Sequence, residues 1–403
     1  MRSTACVLGV LGLVGLSACG GGGSPSGGGG SAGGGTIGGS GPNVQPIVVN
    51  AGPANVYTNG AFTSVTVCVP ATSDCQTIGG VLVDTGSAGL RLLSSVLKVS
   101  LPQQANARGS PLLECNQFRD SYQWGPVVQA DVRIAGEQAV SVPIQAIGTS
   151  AFEVPPACVA SGLPPQETVG SLGANGVLGI GPFRQDCGSA CALSGARNPG
   201  LYYACPTSGC VPAAVGLAQQ LQNPVWMFPV DNNGVIIQLP SIPATGALTV
   251  DGSLIFGIGT QSNNGLGAAL VYPLDSTGSF FTVFQGREYS GSFVDSGTNG
   301  LYFLDSATAG LATCPDSADF YCPSAPAALT ATNAGASGSS ATVDFTIANA
   351  DVLFRTPNTA FDNLGGPNPG SFDWGLPFFF GRNVYTAIEQ QSTPGGLGPY
   401  FAY

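Results

Sequence analysis

A mostly-β fold with short helices is what this sequence predicts. Gly (61) and Pro (31) recur along the chain and divide it into short runs separated by turns, leaving little room for long helices. Apolar residues make up 43% and charged residues only 8%, the composition of a globular chain unusually poor in charge. The 403 residues suffice for one large domain or for two lobes, each with a sizeable core.

Charge and missing residue types exclude several functions. The formal net charge is −11, Lys98 is the single lysine, and no basic run exists to neutralise phosphates, so nucleic acid is not an expected partner. An acidic chain with few cations has few ion pairs to lose at low pH, which fits acid tolerance. Histidine is absent, which removes Ser-His-Asp and Cys-His nucleophile systems and His-based zinc sites. Acid–base chemistry near neutral pH falls to carboxylates, Tyr, Cys or Lys98.

The N-terminus reads as an export and anchoring signal. Met1-Arg2 precedes an apolar run from Cys6 to Gly15, and Leu16-Ser17-Ala18-Cys19 follows. A positive start, a short apolar core and small residues before the cut make a secretory signal, too short to remain as a bilayer span. Leu-Ser-Ala-Cys resembles the bacterial lipobox, which implies a lipid on Cys19 and signal removal over residues 1–19. The plainer alternative is an ordinary signal with an incidental Cys19. Gly20 after the cysteine resembles signals routed to the outer membrane, so the expected location is the bacterial envelope, with either face open. Residues 20–43 are rich in Gly and Ser and lack charge, as expected of a flexible tether.

Ten cysteines then remain: Cys68, Cys75, Cys115, Cys158, Cys187, Cys191, Cys205, Cys210, Cys314 and Cys322. An even count in an exported chain predicts up to five disulfides. Cys314 and Cys322 are spaced to clip a local loop, as are Cys68 and Cys75. Cys187, Cys191, Cys205 and Cys210 could instead form a four-thiolate zinc site.

The central observation is a pair of related segments. Gly80-Val81-Leu82-Val83-Asp84-Thr85-Gly86-Ser87 and Gly291-Ser292-Phe293-Val294-Asp295-Ser296-Gly297-Thr298 each run an apolar strand into Asp, a hydroxyl residue, Gly and a second hydroxyl residue. The aspartates are 211 residues apart, about half the chain. Two carboxylates held about 3 Å apart cannot both ionise cheaply and share one proton. One can then take a proton from water while the other polarises a carbonyl. Gly86 and Gly297 permit the tight turn and the close approach of two loops. Thr85 and Ser296 can bond across the pair, and Ser87 and Thr298 can donate to the aspartates.

Further landmarks follow in order. Asn175-Gly176-Val177-Leu178-Gly179-Ile180-Gly181 comes about ninety residues after the first Asp, and Trp374-Gly375-Leu376-Pro377-Phe378 about eighty after the second. Together these segments resemble the pepsin family of aspartic peptidases, within a branch of uncharacterised bacterial lipoproteins. The resemblance runs over roughly residues 60 to 395, with Ser253 to Gly257 similar to the strand closing the first lobe and Gly381 to Ile388 to the strand after the second apolar motif. It implies two lobes, 44–262 and 263–403, with a cleft between them and Asp84 and Asp295 as catalytic pair. It also implies a monomer, an extended peptide or protein as substrate, and no cofactor or metal. The tether lacks the basic residues of a pepsin-type inhibitory prosegment.

Some positions depart from the family pattern. Arg91 stands where an aromatic residue usually supports the flap tyrosine. The flap is expected between Cys115 and Ile134, with Val132 to Ile134 on its returning strand. Counting back from Gly125 places Phe118 at the flap tyrosine position. Tyr122 and Trp124 are the alternatives, Tyr122 preferred for its hydroxyl, and both could equally be packing residues of a remodelled hairpin. The segment from Phe183 to Val211 has no family counterpart and reads as a disulfide-clipped surface loop. Residues 395–403 read as a loosely ordered aromatic tail. Ser95-Val96-Leu97-Lys98 fits the Ser-x-x-Lys pattern of penicillin-recognising enzymes, but no second lysine supplies their Lys-Thr-Gly element, and a short helix explains it.

Two functions follow from these residues. The first is an anchored aspartic endopeptidase, and the second is a pepsin-fold lipoprotein, weak or inactive in catalysis, that binds peptides or proteins at the envelope.

Overall fold

The computed structural model describes residues 41–403 other than 149, 150, 161 and 337. The signal segment, Cys6, Cys19 and the tether up to residue 40 lie outside the described residues.

The chain is mostly β, as its composition predicts. The first half contains β1 (Val44–Asn50), β2 (Gly60–Cys68), β3 (Cys75–Asp84), β4 (Ala88–Leu93), β5 (Leu112–Gln117), β6 (Tyr122–Ile134), β7 (Glu137–Ile147), β8 (Gly176–Ile180), β9 (Tyr202–Ala204), β10 (Val211–Pro212), β11 (Gly234–Leu239) and β12 (Val250–Phe256). The second half contains β13 (Val271–Pro273), β14 (Phe280–Phe284), β15 (Arg287–Val294), β16 (Leu301–Leu304), β17 (Ala327–Ala334), β18 (Ser340–Ile347), β19 (Gly365–Gly366), β20 (Asn368–Trp374), β21 (Arg382–Ala387), β22 (Ser392–Thr393), β23 (Gly396–Leu397) and β24 (Tyr400–Ala402). Helices are single turns. Ser306–Ala309, for example, starts where the Asp305 carboxylate accepts from the backbone of Ala307 and Thr308.

Period-two alternation decides which faces are buried. In β3 the last four residues are all buried, because the strand has a neighbour on each side and a core on each face. Val81 and Val83 join the main core, while Leu82 packs with Tyr57, Phe62 and Val177 in a smaller one.

The same arrangement occurs twice. In the first half β3 runs parallel to β8, with Asp84 opposite Gly179, and β4 returns antiparallel to β8. In the second half β15 runs parallel to β20, with Val294 opposite Trp374, and β16 returns antiparallel to β20. Each aspartate therefore lies where a strand ends beside the apolar-Gly segment expected to pass beneath it. Each half of the chain thus contains one such unit.

Fifteen strands form one sheet in the order β10-β9-β5-β6-β7-β4-β8-β3-β2-β1-β12-β11-β21-β24-β13, and seven form another, β18-β17-β14-β15-β20-β16-β19. Strands β13, β21 and β24 come from the second half of the chain yet extend the first half's sheet. A division of the sequence at 262/263 therefore does not divide the sheets. The expectation of a loose C-terminal tail is corrected here. Tyr400, Phe401 and Ala402 form β24, pair with β21 and β13, and are buried, since their apolar side chains complete the core cluster around Ile236 and Tyr385 and the main core.

Among the described residues, five disulfides join Cys68–Cys75, Cys115–Cys158, Cys187–Cys191, Cys205–Cys210 and Cys314–Cys322. The four-thiolate alternative for Cys187, Cys191, Cys205 and Cys210 is thereby corrected. Their sulfurs are spent in two local bridges and offer no thiolates.

Candidate active site

Strand β3 delivers Asp84 and strand β15 delivers Asp295, and the turns that follow bring the two carboxyls together. Each turn is closed the same way. The Gly86 N–H donates to Asp84 Oδ1 at 2.8 Å, and the Gly297 N–H donates to Asp295 Oδ1 at 2.7 Å. The Ser87 hydroxyl donates to Asp84 Oδ2 at 2.5 Å, and the Thr298 hydroxyl to Asp295 Oδ2 at 2.9 Å. Each carboxyl thus has one oxygen tied to a backbone N–H and the other to a hydroxyl.

The loops are also tied to each other. The Ser296 N–H donates to Thr85 Oγ1 at 2.9 Å and the Thr85 N–H to Ser296 Oγ at 3.1 Å. The Ser296 hydroxyl in turn donates to the Val83 carbonyl at 2.8 Å, and the Thr85 hydroxyl to that of Val294 at 3.4 Å. Tyr57 adds a further contact, its hydroxyl donating to the Gly297 carbonyl at 3.4 Å. Glycine at 297 is required by close approach. A Cβ there would lie 2.7 Å from Asp84 Oδ1 and 3.2 Å from Asp295 Oδ1.

Both carboxyls are buried, Asp84 3% and Asp295 0% exposed, and both flank Gly297. Burial pushes Asp295 well above the usual carboxylate range. The nearby charges of Asp84 and Asp373 push in the same direction, against the pull of the Gly297 N–H. A carboxyl held protonated beside a second carboxyl can donate a proton while its neighbour accepts one.

The flap residues sit as follows. Strands β5 and β6 form the hairpin, with Tyr122 opposite Gln117 and Val132 to Ile134 at the far end of β6. Residues 118–121 make its tip, closed by the Phe118 N–H donating to the Ser121 carbonyl. Gly125 lets β6 lie close against β7, since a Cβ there would lie 1.9 Å from the Ala146 carbonyl oxygen. Tyr122 and Trp124 are buried in a side cluster with Leu113, Cys115, Cys158 and Tyr203, which is the packing alternative for both. Phe118 lies at the tip and is buried. Beside it Arg119 reaches β20, in the other sheet, and donates to Asn368 Oδ1 at 2.7 Å.

The roles of two buried charged residues escaped sequence reasoning. Arg91 is fully buried and donates to the Ala88 carbonyl at 2.9 Å, to Glu114 at 2.8 Å and to Asp186 at 3.5 Å. It thereby links the first aspartate loop to the flap strand β5 and to the inserted loop, where Tyr202 also donates to Asp186. Burial pulls the guanidinium down, but Glu114 and Asp186 outweigh it, and Asp186 is itself held well above the carboxylate range by burial and by Glu114. A cation within Leu90-Arg91-Leu92 was the available clue, because a buried guanidinium demands carboxylate partners. The second is Asp373, buried in β20 and within hydrogen-bond reach of Thr298. An acidic residue between Phe372 and Trp374 was the clue there.

Residues 39–403 match the model of a family described as "Protein of unknown function (DUF3443)". No curated protein matches the sequence. Among solved structures the chain is similar to the aspartic proteinase from Irpex lacteus, at 14% identity and a TM-score of 0.49, over 89% of this chain and 96% of that one.

Proposed function

We propose that this chain, which belongs to the family of unknown function matched above, is an aspartic endopeptidase anchored to the bacterial envelope through a lipid on Cys19. Asp84 and Asp295 share one proton. The ionised partner takes a proton from a water, and the protonated one donates to the carbonyl oxygen of the scissile peptide. The tetrahedral species then collapses with a proton passing to the leaving amine. The substrate lies extended across the cleft between the lobes, beneath the β5–β6 hairpin, and main-chain hydrogen bonds hold it. No metal or organic cofactor enters this reaction.

The observation that carries this reading is the matched pair of carboxyls. Each has the same N–H and hydroxyl donors, and the crossed Thr85–Ser296 bonds fix their separation. The test is cleavage of unfolded protein by residues 42–403 from acid to neutral pH. Activity that a transition-state analogue such as pepstatin blocks, and that Asp84→Asn removes, supports the enzyme. No cleavage at any pH ends the proposal.

A second reading, a peptide- or protein-binding lipoprotein on the same fold, is favoured by the hairpin. Its aromatics pack sideways and its tip is bonded to Asn368 across the cleft. Peptide binding that survives Asp84→Asn, without cleavage, would select it. Incorporation of labelled palmitate that Cys19→Ala abolishes tests the anchor.

A further inference from the structure

Asp373 sits on β20 between two strands of the second aspartate unit. It is opposite Phe293 of β15 on one side and Tyr302 of β16 on the other. The chain on either side of it is bonded directly to the second loop. The Asp295 N–H donates to the Trp374 carbonyl at 3.1 Å, and the Leu376 N–H donates to the Thr298 carbonyl at 2.7 Å. The Asp373 carboxyl is thereby held against the Thr298 side chain, within hydrogen-bond reach. Its Oδ1 is buried without a hydrogen-bond partner.

Thr298 has one hydroxyl proton and two carboxyl neighbours, Asp295 and Asp373. When it donates to Asp295 Oδ2, at 2.9 Å, it can only accept from Asp373, which requires Asp373 to be protonated. If Asp373 loses its proton, it competes for the same hydroxyl. An orphaned buried carboxylate oxygen is costly, whereas a protonated carboxyl leaves only a neutral oxygen without a partner.

We propose that Asp373 is a third carboxyl of this site, a positioning residue that acts through the Thr298 hydroxyl to bias which member of the Asp84–Asp295 pair keeps the shared proton. The proposal rests on the aspartic peptidase reading for its consequence in catalysis, but not for the proton chain itself. The groups acting on Asp373 come from every side. Asp84 and Asp295 lie in the two loops, and Arg119 comes from the tip of the β5–β6 hairpin. Phe293 on β15 is apolar, and the Tyr302 hydroxyl on β16 is engaged by Asn299. Burial raises Asp373 and the Asp84 charge adds to this, while Thr298 and Arg119 oppose it. Arg119 is bonded to Asn368 on the same strand, so the hairpin tip places a cation on the strand that carries Asp373.

The test uses the full chain with carbon-13-labelled aspartate carboxyls, assigned by single Asn substitutions, alongside pH profiles of kcat/KM. Asp373→Asn leaves an amide that cannot ionise, so the Thr298 hydroxyl stays with Asp295 at every pH and no like charge develops beside Asp295. The Asp295 titration midpoint and the alkaline limb of the profile should both move to lower pH, by about half a unit or more. An Asp295 midpoint unchanged from the parent overturns the proposal. If Asp373→Asn does not fold, Arg119→Gln is read instead: the Asp373 midpoint should rise, and an unmoved midpoint overturns the proposal. A parent that cleaves nothing at any pH refutes the peptidase reading, while the carboxyl titration still decides the role of Asp373.

Discussion

Thr85 and Ser296, 211 residues apart in the chain, each accept the other's backbone N–H on a side-chain hydroxyl, at 2.9 and 3.1 Å. The exchange makes two loops into one rigid unit and sets the distance between the carboxyls that precede them. Thr85→Ala leaves the buried Ser296 N–H without an acceptor, and such an orphan costs about 1–3 kcal/mol. Urea unfolding should register a loss of that size. Cleavage should fall more than stability alone explains, because the carboxyls are no longer held in register. Ser at position 85 should restore both, since it keeps the hydroxyl.

Asp84→Asn and Asp295→Asn should each lower the cleavage rate by about 10²–10⁴-fold, the usual contribution of a positioned acid–base group. Neither should greatly reduce stability at neutral pH, because the amide replaces a carboxyl that shares its neighbour's proton and can still donate to that neighbour. A stable variant retaining parental activity would refute the assignment.

Stability should fall as pH rises. Asp186, Asp295 and Asp373 are buried and held well above the usual carboxylate value in the folded chain. A carboxyl raised on folding contributes stability that is fully present below its unfolded value, near 3.8, and lost as pH climbs through its folded value. Asp275 and Asp305 are lowered and act in the opposite sense, but both lie near the surface, where solvent screens them. Thermal melts from about pH 4 to 8 should give a declining midpoint. A midpoint rising over that window would contradict the burial of the three acids.

Arg91→Met should be among the most damaging single changes away from the aspartates. It leaves Glu114 and Asp186 buried without their cation, a break that costs about 3–5 kcal/mol. Adding Glu114→Gln to it should recover part of the loss, as a double-mutant cycle would record. Strict additivity of the two changes would deny the pair its role in tying β5 to the first loop.

Removing the Cys115–Cys158 bridge by paired Ala substitutions should destabilise the chain by about 2–4 kcal/mol. It closes a 43-residue separation, and Cys115 lies on the flap strand β5. Limited proteolysis should then cut first between residues 117 and 122. Cutting elsewhere would place the weak point outside the hairpin.

The candidate site was legible where its chemistry is local. Asp, hydroxyl, Gly, hydroxyl at a strand's end is a motif four residues long, and the turn it makes depends on those residues alone. The hairpin was legible in outline, since the family resemblance places it between Cys115 and Ile134. The roles of Tyr122 and Trp124 stayed open because a ring's neighbours, Cys158 and Tyr203 among them, come from distant segments. The C-terminal tail was misread for the same reason. Gly395 to Tyr403 looks irregular alone and becomes a strand only because β21 and β13 offer it two edges.

By itself the sequence determined the mostly-β class, the absence of histidine chemistry and two carboxyl-bearing turns half a chain apart. Only the tertiary structure decided that those turns face each other, that Asp373 shares Thr298 with Asp295, and that Arg91 is held by two acids. The physical reason is range. Turn geometry and residue type act within a few bonds, whereas burial and the mutual repulsion of carboxyls exist only once distant segments have packed together.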